Sequence, residues 1–166
     1  EKSDDYALSL ARKGHELAAH PWAAVVFQWD TLGRQLRIDG PVVRALASES
    51  DDYFASRPWR SRLAAISSEQ SAPLASRQLL LQRLRETAER LGAPDPFTTE
   101  EDDEEPGLRL PRPPNWGGYR LWAASVELWV EGEHRLHDRA RWTRELVPAG
   151  NGRFHAESWR HQRLQP

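Results

Sequence analysis

Apolar and polar positions divide the chain into stretches with two different periods. Residues Asp4 to Ala19 carry Leu8, Ala11, His15 and Ala18 at helical spacing, which predicts a helix ended by His20–Pro21. "WAAVVFQW" (22–29) is short, β-branched and aromatic, and predicts a buried strand. "RQLRIDG" (34–40) alternates: Gln35, Arg37 and Asp39 point one way, Leu36 and Ile38 the other, as in a half-buried strand. "PVVRALA" is expected to continue the sheet after a turn at Gly40–Pro41. Ser48–Ala55 starts with serine and acids and ends before Pro58, so a helix is predicted, with another over about 60–67. Ala75–Leu91 is the clearest helix, with Leu79, Leu80, Leu84 and Ala88 on one face and Gly92 as its stop. Beyond residue 115, "GGYRLWAA", "SVELWVEG", "HRLHDRARWTREL" and the closing "RFHAESWRHQRLQP" each read as strands. Strands early, helices in the middle and strands late predict an α+β domain with an antiparallel sheet or barrel, with no internal repeat.

Residues 93–115 break these periods. They include three prolines within "APDPFTTEEDDEEPG" and six consecutive acids, Glu100 to Glu105. A solvated, mobile acidic loop is expected there. A docking tail for a basic partner is the weaker alternative.

Composition narrows the classes. The 166 residues suit a single domain able to bury a core without staples. With no cysteine, disulfides and thiolate metal sites are excluded, and a reducing compartment is compatible. A formal net charge of −2 gives no global pull toward nucleic acid. No apolar run approaches membrane-spanning length and no leader pattern opens the chain, so the expectation is a cytoplasmic protein without a membrane partner. Eight tryptophans against three tyrosines imply half-exposed rings able to cover a flat ligand or a partner subunit.

Against this near-neutral background, "GEHRLHDRARWTR" (132–144) holds four arginines and two histidines. On a strand over 135–142, Arg135, His137, Arg139 and Arg141 would share one face, and Leu136, Asp138, Ala140 and Trp142 the other. A row of cations repels itself, so an anion is expected opposite, and phosphate suits guanidinium forks. Spacing alone leans toward a solvated face balanced by carboxylates such as Glu127 or Glu131. A second anion candidate is "YFASRPWRSR" (53–62), where Arg57, Arg60, Ser61 and Arg62 gather near a helix start. A third is the adjacent Arg12–Lys13. Separate anion sites would suit a phosphorylated cofactor together with a phosphorylated substrate. The pair His15 and His20 lies five apart, not the four a zinc-protease helix requires. The paired glycines of "WGGYR" lack phosphate-loop spacing, and "ISSEQSAPLAS" has no nucleophile elbow.

"RPPNWGGYRL", "VELWVEGEHRLHDR" and the terminal "RLQP" resemble the C-terminal half of pyridoxine/pyridoxamine 5′-phosphate oxidases. "ARKGHELAAHPWAAVVFQWDTLGRQLRIDGPV" is similar to that family's middle strands, and "YFASRPWRSRLAAISSEQS" to the segment between. The resemblance runs in order from about residue 11 to 166. It implies one FMN-binding split β-barrel domain over 1–166 with flanking helices, working as a homodimer with FMN at the interface. The implied reaction oxidises pyridoxine or pyridoxamine 5′-phosphate to pyridoxal 5′-phosphate, with O2 as acceptor and hydrogen peroxide released. Matched motif by motif, the resemblance assigns Arg12, Lys13, Gln35, Gln70, Ser71, Trp129 and Arg139 to FMN. It assigns Tyr53, Arg57 and Ser61 to the substrate's phosphate, and Arg135 and His137 to the pyridine ring and its reacting substituent, as the catalytic pair.

The chain also departs from the pattern. The family's N-terminal strands, with a basic segment of the type R-x-V-L-L-K, have no counterpart, and "YALSL" is a weak stand-in for the strand end that precedes the Arg-Lys pair. Residues missing from the natural N-terminus are the expectation. Arg62 and Ala64 replace a usual glutamine and glycine, and Leu128 and Val130 flank Trp129 where Phe and Gln are commoner. Two alternatives therefore stand beside the oxidase: a flavin oxidase of phenazine-biosynthesis type, and a non-catalytic FMN- or pyridoxal-phosphate-binding protein.

Overall fold

The computed structural model describes residues 7–8, 12–97 and 107–166. In chain order these form β1 (Ala7–Leu8), α1 (Arg12–Ala19), β2 (Trp22–Trp29), β3 (Arg34–Arg44), α2 (Ala47–Ala55), α3 (Trp59–Ser67), α4 (Arg77–Leu91), β4 (Trp116–Gly117), β5 (Tyr119–Leu121), β6 (Ser125–Val130), β7 (Asp138–Thr143), β8 (Leu146–Gly150), β9 (Arg153–Ala156) and β10 (Arg160–Leu164). All strand pairs with a defined register are antiparallel, as the α+β reading requires. The chain divides into two compact units, Glu1–Glu16 with Ala45–Tyr119, and Leu17–Arg44 with Arg120–Pro166.

The first unit is built on helices. Leu84 and Ala88 of α4 meet Trp59 and Leu63 of α3, and Leu108 and Leu110 of the following loop complete that core. A second cluster sets Phe54 against Trp116, with Tyr53, Ala65 and Ile66 around them. The helical spacing seen in α4 thus reports its buried face. Its start is fixed locally: the Ser76 hydroxyl accepts from the Leu79 N–H at 3.1 Å. Its end is Gly92, whose φ of 68° is open to glycine without strain. Ser76→Ala is expected to cost about 1 kcal/mol, measured by chemical denaturation, since it orphans one N–H of the first turn.

The first predicted helix is shorter than expected. Ala7–Leu8 form β1, paired with Gly117 and Trp116, so a helix from Asp4 is not what forms there. Backbone partners on β4 override the apolar spacing of these residues. Positions 4–6 and 9–11 of that predicted helix lie outside the described residues, as does 98–106, where the acidic run falls. Flanking it, 93–97 and 107–115 carry neither helix nor strand.

The second unit is a sheet in the order β10-β7-β6-β3-β2, with β5 on β3, plus a separate β8–β9 hairpin. β2 spans the residues predicted but is an edge strand and not a buried one: Trp22, Ala24, Val26 and Gln28 are exposed, while Ala23, Val25 and Phe27 are half-buried. No turn interrupts β3 at Gly40–Pro41. Both its neighbours hold it straight: Trp22 and Ala23 pair with Pro41 and Gly40, and the Trp122 and Ala124 N–H groups donate to Pro41 and Asp39, each at 2.9 Å. Glycine is needed at 40, because a Cβ there would stand 1.9 Å from the Trp122 carbonyl oxygen. The basic strand begins only at Asp138, after a 3₁₀ turn over Glu133–Arg135. His134 and Arg135 take left-handed φ values of 55° and 65° there. The closing stretch is two strands, β9 and β10, in different sheets, instead of one. Among the described residues, no helix is long and apolar enough to cross a membrane.

Candidate active site

The sheet register gathers one set of predicted residues. Gln35 on β3 is paired with Trp129 on β6, and Trp129 with Arg139 on β7. Residues directly opposite in an antiparallel sheet project from the same face, so these three form one row across three strands. The next row on that face is Arg37, Glu127 and Arg141. His137 joins the first row from the loop: its ring lies 4.6 Å from that of Trp129. The Gly132 N–H donates to His137 Nδ1 at 3.2 Å, which makes Nδ1 the acceptor and places the proton of the neutral ring on Nε2.

The expected four-residue cationic face is therefore corrected. Arg135 and His137 precede the strand, and only Arg139 and Arg141 alternate on it. Arg135 is exposed on its left-handed turn, two residues before His137. The balance comes from Glu127. Its Oε1 accepts from Arg139 Nε and Nη2 at 3.0 and 2.6 Å, and its Oε2 from Arg141 Nε and Nη2 at 3.1 and 2.7 Å. Arg139 Nη1 also donates to the Gln165 carbonyl at 3.0 Å. Burial raises the Glu127 pKa, but the two hydrogen-bonded guanidinium groups outweigh that and hold it below the ordinary value. Two cations on one carboxylate leave the trio net positive.

The first unit gathers a second set. Tyr53 of α2 lies parallel to Trp116, with ring centroids 6.1 Å apart. The Arg57 guanidinium sits over the same indole at 5.6 Å. Tyr53, Arg57 and Ser61 are all half-buried, and Ser61 is the third residue of α3.

A cavity of about 470 Å³ lies in the same unit, lined by Arg12, His15, Glu16, Gln70, Ser71 and Asn115 among others. It brings Arg12 together with the adjacent Gln70 and Ser71, which are distant from it in sequence. Ser71 has a left-handed φ of 68°. Arg12 Nε pairs with Glu16 Oε1 at 2.7 Å, which stabilises its cation further and leaves the Nη edge of the guanidinium outside that contact. Lys13 is exposed on α1 and is not among the lining residues. Sequence reasoning gave no role to Trp116, His15 or Asn115. Trp116 and Asn115 carried a signal only as part of the "RPPNWGGYRL" stretch, which assigned neither a role. Among the described residues, no His, Asp and Glu cluster could hold a metal ion.

Two family models cover most of the chain. One, described as "Pyridoxamine 5′-phosphate oxidase", matches residues 6–90. The other, "Pyridoxine 5′-phosphate oxidase C-terminal dimerisation region", matches residues 116–166. The chain belongs to the pyridoxine/pyridoxamine 5′-phosphate oxidase family. Relatives named pyridoxine/pyridoxamine 5′-phosphate oxidase are similar along its length. That of Cyanothece sp. is 43% identical over 156 residues, covering 94% of this chain and 62% of the relative. That of Burkholderia cenocepacia is 44% identical over 156 residues, covering 94% and 63%. The chain thus spans a little over three fifths of the length of these relatives.

Among solved structures, PhzG of Burkholderia lata, in complex with tetrahydrophenazine-1-carboxylic acid, is 30% identical with a TM-score of 0.74, over 97% of this chain and 67% of that one. A pyridoxamine 5′-phosphate oxidase-related, FMN-binding protein of Nostoc punctiforme shares the fold at a TM-score of 0.64 and 13% identity, over 97% of this chain and 71% of that one. The expected fold class holds: the chain combines helices with an antiparallel sheet, as in the split-barrel proteins of the pyridoxine/pyridoxamine 5′-phosphate oxidase family.

Proposed function

We infer that the protein is an FMN-dependent oxidase that converts pyridoxine or pyridoxamine 5′-phosphate to pyridoxal 5′-phosphate, with O2 as acceptor and hydrogen peroxide released, and that it works as a homodimer. The observation that carries this reading is the row Gln35–Trp129–Arg139 with His137 against Trp129. Three residues matched to the cofactor by motif share one row by sheet register, and His137, matched to the substrate, lies against that row; the motif match depended on neither. The C-terminal dimerisation region matched at 116–166 supports the dimer.

Each unit, taken by itself, offers groups that suit one part of FMN. A phosphate needs cations and hydrogen-bond donors, and the cavity lined by Arg12, Gln70 and Ser71 offers a guanidinium, an amide and a hydroxyl. Its volume of about 470 Å³ is that of a small-ligand site. A flat ring system needs an aromatic and polar edge groups, and Trp129 between Gln35 and Arg139 offers both. Lys13 would add a second cation beside Arg12.

When bound, FMN would supply the hydride acceptor and the route to O2. The chain's residues bind and orient. Tyr53, Arg57 and Ser61 hold the substrate's phosphate by charge-assisted hydrogen bonds. Arg135 and His137 meet the pyridine ring and the alcohol or amine. With Nδ1 accepting from the Gly132 N–H, the neutral imidazole carries its proton on Nε2, and His137 orients the substituent by a hydrogen bond donated from there. Glu127 holds Arg139 at its place in the row.

Two measurements test the reading. Turnover and peroxide release should require the phosphate: pyridoxine 5′-phosphate should be oxidised far faster than pyridoxine, and equal rates would remove the substrate assignment. Arg12→Ala should weaken FMN about tenfold and riboflavin much less, read by quenching of flavin fluorescence. Loss of both flavins alike would remove Arg12 from the phosphate.

The likeness to PhzG supports a second reading, oxidation of a reduced tricyclic acid. Such a substrate offers a carboxylate in place of a phosphate, and three groups on one anion suit the phosphate's greater charge and its additional oxygens better, so the first reading is preferred. Turnover of a dihydrophenazine acid in place of pyridoxine 5′-phosphate would reverse that order.

A further inference from the structure

We propose that Trp116 is a positioning residue for phosphate recognition, setting the attitude of both Tyr53 and Arg57 and with it the preference for phosphorylated over unphosphorylated ligands. This deepens the proposed oxidase function and rests on its assignment of Tyr53, Arg57 and Ser61 to the substrate's phosphate.

Trp116 is 4% exposed, yet two of its ring contacts are with half-buried polar residues. Tyr53 stacks on it at 6.1 Å with an interplanar angle of 15°. The Arg57 guanidinium carbon lies 5.6 Å from its centroid. Phe54 meets it edge-on at 5.0 Å and 70°. The backbone is pinned too. The Trp116 N–H donates to the Pro113 carbonyl at 2.9 Å, and its carbonyl accepts from Arg112 Nη1. Arg112 Nε reaches Asp51 Oδ1 at 2.6 Å, on the same helix as Tyr53 and two residues before it. Indole, loop and α2 are thereby held as one piece.

An arginine side chain free in solvent spreads its charge over many rotamers. Over an indole face it keeps few, while its in-plane N–H groups stay available to an anion. A tyrosine stacked flat likewise has its hydroxyl direction fixed. Removing the indole leaves the charge of Arg57 and the hydroxyl of Tyr53 in the protein but removes their common orientation. The loss should fall on ligands that carry a phosphate and spare those that do not.

The test is equilibrium binding by titration calorimetry of pyridoxine 5′-phosphate and of pyridoxine to the wild-type chain and to Trp116→Phe, Trp116→Leu and Arg112→Gln, each checked for folding by circular dichroism. Trp116→Leu should weaken the phosphorylated ligand about tenfold and change pyridoxine less than about twofold. Trp116→Phe should keep most of the preference, and Arg112→Gln should fall between. A folded Trp116→Leu that keeps its preference, or that loses both ligands equally, overturns the proposal and makes Trp116 core packing alone. If Trp116→Leu does not fold, Arg112→Gln decides on the same criterion. A wild-type chain with no preference for the phosphorylated ligand removes the Tyr53–Arg57–Ser61 assignment itself, and the proposal with it. In the other overturning results that assignment survives.

Discussion

Glu127→Ala should lower stability by about 2 kcal/mol, seen as a fall of roughly 6 °C in the thermal midpoint. The side chain of Glu127 is only 11% exposed, and each of its oxygens takes a fork from one arginine. Alanine leaves Arg139 and Arg141 side by side with no carboxylate between them. The figure is below that of a fully buried pair, because the arginine side chains are 29% and 37% exposed. Glu127→Gln should cost less, since one oxygen still accepts. The pH dependence follows from the direction of the shift. A carboxyl whose pKa is lower folded than unfolded stabilises fully above the unfolded value, here near 4.5, and that contribution fades as pH falls through the folded value. Wild type and Glu127→Gln should differ at neutral pH and converge in acid. Parallel curves would show that the ion pairs contribute nothing.

The second large effect concerns turnover. His137→Ala should reduce the oxidation rate of pyridoxine 5′-phosphate by about 100-fold or more, while FMN still binds. The imidazole is held by Trp129 on one side and by Gly132 at Nδ1, which fixes the ring and leaves its proton on Nε2. Stopped-flow reduction of the flavin under anaerobic conditions isolates this step from reoxidation. Wild-type rates in the variant would take His137 out of the reaction.

Several features were legible in the residues because local and tertiary preferences agree. In α4, a leucine stripe and a glycine stop coincide with the buried face, although the Ser76 cap sets the start two residues later than the stripe alone suggests. In β2, β-branched and aromatic residues mark the strand to the residue, although its burial was overestimated because composition does not tell an edge strand from a central one. The misreadings have a common cause in partners distant along the chain. Gly40–Pro41 looks like a turn until Trp122 closes on Gly40 from the neighbouring segment. Ala7–Leu8 fit a helical stripe but pair with β4. The start of β7 was placed too early because neither His134 nor Arg135 announces a left-handed backbone. The site divides in the same way. Motifs marked the individual residues, and Glu127 was already a candidate for balancing the arginines. The row joining Gln35, Trp129 and Arg139, and the role of Trp116 between Tyr53 and Arg57, depend on register and packing that no local spacing encodes.

The turn at His134 and Arg135 holds two side chains on a backbone that favours glycine. Two consecutive L-residues at positive φ each cost about 1–2 kcal/mol relative to glycine in that conformation. The folded chain offsets this with the Leu136 N–H to Glu133 carbonyl bond and the Gly132 contact to His137. Selection for heat tolerance alone would therefore favour glycine at these two positions. At 135 it would exchange the guanidinium proposed to meet the substrate for a more relaxed backbone. With Arg135 in that role, the most thermostable version of this loop is not the most active one.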